Sequence, residues 1–468
     1  MKTRLERCFE KNLPRYLEEW KALLRFPSIS AEPAREKDCR ACAGWMVRHL
    51  KGMGFKAQLI STGSKPLVFA ERKGLAGAPV VLFYGHYDVQ PEGPAGEWRS
   101  PPYEPQLRNG RIYARGANDD KGQLMSQLKG MDAVLELGIP HPTIKVILEG
   151  EEESGSRGIA RVLPGLRRLV KADILMVCDT GMVAPGLPAI TMGLRGVISL
   201  TATLRGPERE LHSGIHGGRA PNPATAMARI VSTLHKNDGS VAVKGFYAGV
   251  KAPLKNEREL ANRTPFSASE YRRKTGVPPV AGEQQFTPVE RVGFRPCLEV
   301  NGIRSGYTGS GLKTIIPAAA TLKLSARLVP GQDPKKCLDK IVRHLRKHVP
   351  AGMTLEISER SVSGGAFSLH ANSVTVKRAR RVLRAMSGRD PALVWEGASV
   401  PIVPLLGRFA GAEPLLVGFG SEDDRIHAVN ESFSIEQFRF GYLYAALLLA
   451  DIGENGDAKA LDYFRAGR

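Results

Sequence analysis

The chain has 468 residues, 42% of them apolar, with a formal net charge of +20. That length exceeds one ordinary core and predicts two domains. The charge invites a nucleic-acid partner, but Arg35, Arg111, Arg205, Arg272 and Arg378 are scattered among acids and no zinc finger, aromatic RNA-binding box or basic tail is present, so no specific nucleic-acid partner is expected.

The opening stretch, "MKTRLERCFEKNLPRYLEEW", lacks the apolar centre of a signal peptide. The longest apolar run, "YLYAALLLA", is about half of a membrane span, so a cytoplasmic protein without a membrane partner is expected. The six cysteines are scattered and suggest no disulfide framework; Cys39 and Cys42 form a CxxC that no second CxxC completes.

In chain order, residues 1–190 alternate helical and strand signals. "LEEWKALLRF" and "CAGWMVRHLKGMGF" have helical spacing, the second stopping at Gly54. "PVVLFYG", "TIKVILEG" and "ADILMVCD" are short continuous apolar runs, as strands buried on both faces should be. "KGQLMSQLKGMDAVLELG" and "GIARVLPGLRRLV" lie between them with helical periodicity. The pattern predicts an α/β domain with a mostly parallel central sheet. From about Gly193 the texture changes: "GVISLTATLRG" alternates like an amphipathic strand, "NPATAMARIVSTLH" reads as a helix, and a long polar stretch runs from Lys251 to Arg291. "TLKLSARLVP", "KKCLDKIVRHLRKHV" and "MTLEISE" add a strand, a helix and a strand. The first texture returns after about Ala385, with the buried strand "PLLVGFG" and the helix "EQFRFGYLYAALLLADIG". The expected organisation is a catalytic α/β domain (1–190 and 385–468) interrupted by a smaller α+β domain (191–384).

Polar residues follow each buried run of the outer domain. His86 and Asp88 follow the first, Glu151, Glu152 and Glu153 the second, Asp179 the third, and Glu422, Asp423, Asp424 and then His427 the last; Asp119 and Asp120 precede a helix. In open α/β sheets the ligand site lies beyond the carboxyl ends of the strands. Clustered carboxylates repel and raise one another's pKa unless a cation intervenes. Two imidazoles with several carboxylates suit zinc, manganese or cobalt better than calcium, and the ligand count fits two divalent ions sharing one carboxylate. Asp88 is close enough in sequence to orient the His86 ring. Within the triple glutamate adjacent side chains cannot share one target, so one is available as a ligand and another as a general base.

The motifs "GHYDVQP", "ARGANDDKG", "EGEEESGS", "CDT" and "LHSGIHGG", with a late histidine, resemble the M20 di-metal peptidases over essentially the whole chain. "WRSPPYEP", "NGRIYARGANDDKGQ", "TGSGLKTIIP" and "RLVP" are most similar to its carnosinase and cytosolic nonspecific dipeptidase branch. The resemblance implies a zinc-peptidase-like catalytic domain, a lid and dimerisation domain, a homodimer, two divalent metals (zinc, with manganese or cobalt as alternatives) and a small peptide substrate. It implies His86 and Asp179 on one metal, Glu153 and His427 on the other, and Asp119 bridging them with a cis Asp119–Asp120 peptide. Glu152 is then the general base and Asp88 the orienter of His86. His212 corresponds to a residue that steadies the scissile carbonyl oxygen from the partner subunit, and Arg327 to a clamp on the substrate carboxylate. Thr314 and Ser399 correspond to further substrate contacts. The alternative within the family is a deacylase of N-acyl amino acids, of the acetylornithine deacetylase or succinyl-diaminopimelate desuccinylase type.

Overall fold

The computed structural model describes residues 1–455, which form two compact units. The first comprises residues 1–192, 369–394 and 402 onward, the second residues 193–368 and 395–401. The chain therefore returns to the first unit at Leu369, earlier than the change of texture near Ala385 suggested. The helix Val374–Ser387 makes the difference. It buries Val376, Ala379, Val382 and Leu383, and its Arg378 binds Asp451 of the closing helix Ile435–Asn455.

In the first unit the sheet order is Lys56–Ile60, Leu67–Arg72, Ile144–Glu149, Val81–His86, Ile174–Val177, Glu413–Leu416 and Ala189–Leu194. Its middle is parallel: Val81–His86 runs parallel to Ile144–Glu149 and to Ile174–Val177, which in turn runs parallel to Glu413–Leu416. Its flanks pair antiparallel. The central strands Val81–His86, Ile144–Glu149 and Ile174–Val177 are buried at every position, which accounts for their unbroken apolar runs.

The helix Lys121–Glu136 is buried over most of its length and packs on Ile435–Asn455. Gly130 permits this, since a Cβ there would lie 2.4 Å from the Tyr442 carbonyl oxygen. Phe9, Tyr16 and Trp20 of the first helix, Lys2–Leu24, close the layer against Phe438 and Tyr442, with ring centroids 5.0 Å apart for Phe9–Tyr442 and 4.9 Å for Trp20–Phe438. Each such buried ring contributes roughly 1.5–3 kcal/mol.

The second unit is built on a four-stranded antiparallel sheet in the order Cys297–Ser305, Ala319–Leu328, Gly196–Arg205 and Thr354–Ser363. One face buries Ile198, Leu200, Leu204, Leu322 and Leu324 with Met227, Ile230, Leu338 and Ile341 from the helices Pro223–Ser232 and Pro334–Lys347. Both helices begin with proline after a side-chain cap, from Asn222 and Asp333. The polar stretch 251–291 holds the short helices Lys255–Ala261 and Ala268–Thr275 and leads into Pro288–Phe294. A two-stranded ribbon pairs Leu211–His212 with Ile315–Ile316.

Candidate metal centre

The parallel middle of the first unit's sheet delivers its polar residues to one edge. Val81–Tyr84 are buried apolar residues, so the strand carries His86 into the interior at its carboxyl end. Gly85 leaves room beside it, since a Cβ there would lie 2.9 Å from Asp120 Oδ2. That oxygen instead accepts the His86 N–H at 3.2 Å. The His86 ring sets Nδ1 3.1 Å from the Asp88 carbonyl oxygen and 3.4 Å from Asp88 Oδ1. Because a carbonyl only accepts, Nδ1 carries the proton and a neutral His86 presents its lone pair at Nε2. Nε2 faces Asp119 Oδ1 at 3.1 Å and Asp179 Oδ2 at 3.8 Å.

Asp88 differs in detail from the expectation. Its main-chain oxygen lies closer to the imidazole than its carboxylate does, and the carboxylate accepts the N–H groups of Glu152 at 3.2 Å and Glu153 at 3.1 Å. One residue thus fixes both the histidine and the turn that carries the glutamates.

That turn separates the three acids. Glu151 faces away from the cluster, accepting from the Ser64 hydroxyl at 2.5 Å and from the Gly158 N–H at 2.9 Å, at the start of the helix Arg157–Val170. Glu153 takes a hydrogen bond from Gln90 Nε2 at 2.7 Å on one oxygen and turns the other to His427 Nε2 at 3.4 Å. Burial, with the Glu153, Asp88 and Asp119 charges, raises the Glu152 carboxyl to about 7 against the opposing pull of His86.

Asp119 stands between the histidines, with Oδ2 2.9 Å from His427 Nε2 and Oδ1 toward His86. The Asp119–Asp120 peptide is cis. The loop before it hangs from Glu431, whose Oε1 accepts the N–H groups of Asn118 and Asp119 at 3.0 and 3.1 Å. Its Oε2 accepts Gly116 N–H at 3.0 Å and Arg115 Nη1 at 2.8 Å. Buried Asp424 supports the same loop through Asn118 Nδ2 at 2.7 Å and is itself held by Arg111 and Gln437. Of the run Glu422, Asp423 and Asp424, Asp424 is thus turned to loop support. Sequence reasoning missed Glu431, Gln90 and the supporting role of Asp424. The available signal for Glu431 was an acid four residues after His427, which looks like any loop acid.

The electrostatics of this cluster ask for cations. Burial opposes the shift, but the nearby His427 and His86 rings pull Asp119 well below the usual carboxylate range. Asp119 and Glu153 raise His427 to about 10, while burial and the Asp119 and Asp120 charges push Asp179 well up. Two groups of donor atoms lie within 4.8 Å of one another, His86 with Asp119 and Asp179, and Asp119 with Glu153 and His427. His86 Nε2 and Glu153 Oε1 are buried without a hydrogen-bond partner, which fits donors aimed at ions. Imidazole with carboxylate is a donor set suited to zinc, manganese or cobalt.

The other expected site residues lie in the second unit and fall into two pairs. His212 sits on the two-stranded ribbon and Thr314 immediately precedes its second strand, where Ser213 N–H donates to the Thr314 carbonyl at 3.0 Å. His212 caps the short turn after it, Nδ1 accepting from Gly214 N–H at 3.1 Å, and its side chain is exposed. Arg327 lies on the sheet, with Nη1 donating to the Ser399 hydroxyl at 2.8 Å.

Residues 82–451 match the model of peptidase family M20/M25/M40. The Cys-Gly metallodipeptidase dug1 of Schizosaccharomyces pombe is 27% identical over 467 residues, covering 94% of this chain and 97% of that protein. The cysteinylglycine-S-conjugate dipeptidase of Corynebacterium striatum is 29% identical over 428 residues, covering 90% and 92%. Among solved structures, the M20 family metallo-carboxypeptidase Sso-CP2 from Sulfolobus solfataricus is similar with a TM-score of 0.82 at 29% identity, covering 94% of this chain and 99% of that one. With the paired donor groups at the ends of parallel strands and a family match spanning most of its length, the chain belongs to peptidase family M20/M25/M40.

Proposed function

We propose that the protein is a metal-dependent dipeptidase in which His86 and Asp179 hold one divalent ion, Glu153 and His427 a second, and Asp119 both. The observation that carries this reading is the pair of donor groups sharing Asp119, with the Glu152 carboxylate beside them. Further support comes from the dipeptidase names of the two relatives described above. When bound, the ions supply Lewis acidity that polarises the scissile carbonyl and acidifies water.

Glu152 takes the proton from the attacking water and returns it to the leaving amine, a shuttle for which a carboxyl near neutrality is apt. Asp88 keeps the His86 tautomer fixed and holds the Glu152 and Glu153 backbone in place. The partner subunit's His212 donates to the developing oxyanion, which makes the homodimer, joined through the second unit, the active form. Arg327 clamps the substrate carboxylate with a planar pair of N–H donors, and Thr314 and Ser399 are further contacts around it, Ser399 with its lone pairs on the Arg327 guanidinium. The second unit acts as the lid that shuts out water. We place the enzyme in the cytoplasm, acting on small peptides; among the described residues no helix is long and apolar enough to cross a membrane.

The test is to strip the enzyme of metal, reload it with zinc, manganese or cobalt, and assay free dipeptides beside N-acetyl and N-succinyl amino acids, with Glu152→Ala as the control. Cleavage of free dipeptides that Glu152→Ala abolishes is the expected result. Preference for the acylated compounds would keep the centre but reassign the enzyme as a deacylase.

A further inference from the structure

Arg195 joins the strands Ala189–Leu194 and Gly196–Arg205, and no motif singled it out. It grips the segment 397–399 at three points. Its N–H donates to the Ala398 carbonyl at 3.1 Å, its Nε donates to the Gly397 carbonyl at 3.1 Å, and its own carbonyl accepts the Ser399 hydroxyl. Its Nη1 donates to the Arg295 carbonyl at 3.3 Å and lies 3.6 Å from Cys297 Sγ. Cys297 and Val197 are the two cross-strand neighbours of Arg327 in the sheet. Arg195 therefore ties the Ser399 segment to the strands on both sides of Arg327.

The direction of the bonds through Ser399 is fixed. A hydroxyl has one hydrogen, a carbonyl only accepts, and a guanidinium only donates. Since Ser399 gives its hydrogen to the Arg195 carbonyl, its lone pairs face Arg327 Nη1 at 2.8 Å. A hydroxyl free to rotate could turn its hydrogen toward the guanidinium, and the Arg195 carbonyl prevents this. The side chain completes the hold. A Cβ on Gly397 would lie 2.6 Å from Arg195 Nη2, so the guanidinium rests directly on the loop backbone. Nε and Nη1 serve carbonyls on two different segments, Gly397 and Arg295, a division that the single ammonium of lysine reproduces poorly. Among the described residues neither Arg195 nor Arg327 forms an ion pair with a carboxylate, which leaves the Arg327 fork available to an incoming anion.

We propose, resting on the reading of Arg327 as the clamp on the substrate carboxylate, that Arg195 is a positioning residue for that clamp. It fastens the 397–399 loop so that Ser399 holds one arm of the Arg327 guanidinium and aims the other at the carboxylate. Arg195 itself stays off the substrate and sets the preference for a free C-terminal acid.

The experiment compares L-alanyl-L-alanine with L-alanyl-L-alaninamide, which keeps the scissile bond and lacks the carboxylate. The metal-loaded enzyme is assayed as wild type, Arg195→Ala, Arg195→Lys, Ser399→Ala and the Arg195→Ala/Ser399→Ala double variant. In Arg195→Ala, kcat/KM for the free acid is expected to fall about tenfold further than for the amide, the loss of one charge-assisted hydrogen bond, and to do so through KM. Arg195→Lys is expected to recover only part of it. The double variant is expected to be no worse than Arg195→Ala, because both changes cut the same relay. Equal losses on the two substrates would mark Arg195 as a general loop staple and overturn the assignment, as would additive losses in the double variant. A wild-type enzyme indifferent to the carboxylate would overturn the Arg327 clamp, and the role of Arg195 with it. A wild-type preference that survives Arg195→Ala would overturn Arg195 alone. Should Arg195→Ala fail to fold, Gly397→Ala, which sets a methyl group against the guanidinium, is expected to give the same selective loss of the free acid.

Discussion

The two units hold their polar residues in different ways. In the first, every expected ligand follows a buried strand or a loop pinned by several hydrogen bonds. Asp119 hangs from Glu431, and His86 is fixed through Asp88 and Asp120. In the second, His212 stands exposed on a two-residue ribbon strand, and Arg327 depends on one hydroxyl delivered by a loop. The difference follows from what each must do. Donors that share ions have to be brought together against their own repulsion, which demands a rigid frame. Groups that meet a substrate after it arrives have to leave it a way in, which favours edges and loops.

Breaking the first unit's chemistry without its frame should have the largest effect. Glu152→Gln removes the proton carrier and keeps its shape, so kcat should fall about 10²–10⁴-fold with metal content unchanged; a variant with near-normal turnover would remove Glu152 as the base. On the second unit, His212→Ala should lower kcat by about 10²–10³-fold with metal content intact. An effect confined to KM would contradict an oxyanion role, and full activity in a monomer seen by sedimentation would exclude action across subunits. Loosening the frame should act on metal before chemistry. Glu431→Gln leaves Arg115 buried without its counter-charge and turns an amide against backbone N–H donors. It should lower stability by about 3 kcal/mol in urea unfolding and metal affinity by about tenfold in a competition titration. Unchanged affinity would show that the Gly116–Asp119 loop keeps its place without Glu431.

The same contrast explains what the sequence revealed. The strand ends were legible because burial forces an apolar run to stop where polar chemistry begins, so His86, Glu151–Glu153 and Asp179 stand out against "VVLFYG", "KVILEG" and "ILMVC". Which glutamate faced which way was not legible from the run itself. Glu151 is taken up by Ser64 and Gly158, and the Ser64 contact depends on a strand connection far back in the chain. Glu431 and Asp424 were hidden for the same reason, since each bonds across more than 300 residues of sequence to reach Asn118. Arg195 was hidden because its partners are mostly backbone carbonyls, which leave no mark on residue identity. The exchange of chain between the units was partly legible. The texture near Ala385 marked the return late because Val374–Ser387 carries many basic residues, with its core side confined to residues three and four apart, from Thr375 and Val376 through Ala379, Val382 and Leu383 to Met386.

The smallest expected effect lies beneath the centre and tests how much of its rigidity comes from a proton. Glu149 ends a central strand fully buried, its Oε1 accepting from the Tyr84 hydroxyl at 2.7 Å and the Ser156 hydroxyl at 3.0 Å, its Oε2 without a partner. Burial, followed by the Asp88 charge, pushes its carboxyl up to about 8. In the unfolded chain the same group titrates near 4.3. Between about 4.3 and about 8 the folded protein keeps a proton that the unfolded chain has lost, so this residue makes stability fall as pH rises across that window. Glu149→Gln imitates the protonated acid and has nothing to release. In the metal-free protein the variant should therefore match the wild type in melting temperature at pH 5 and exceed it by a few degrees at pH 8. A difference that stays the same at both pH values would mean that Glu149 is ionised in the folded state, and that the layer beneath Glu152 already carries a full negative charge.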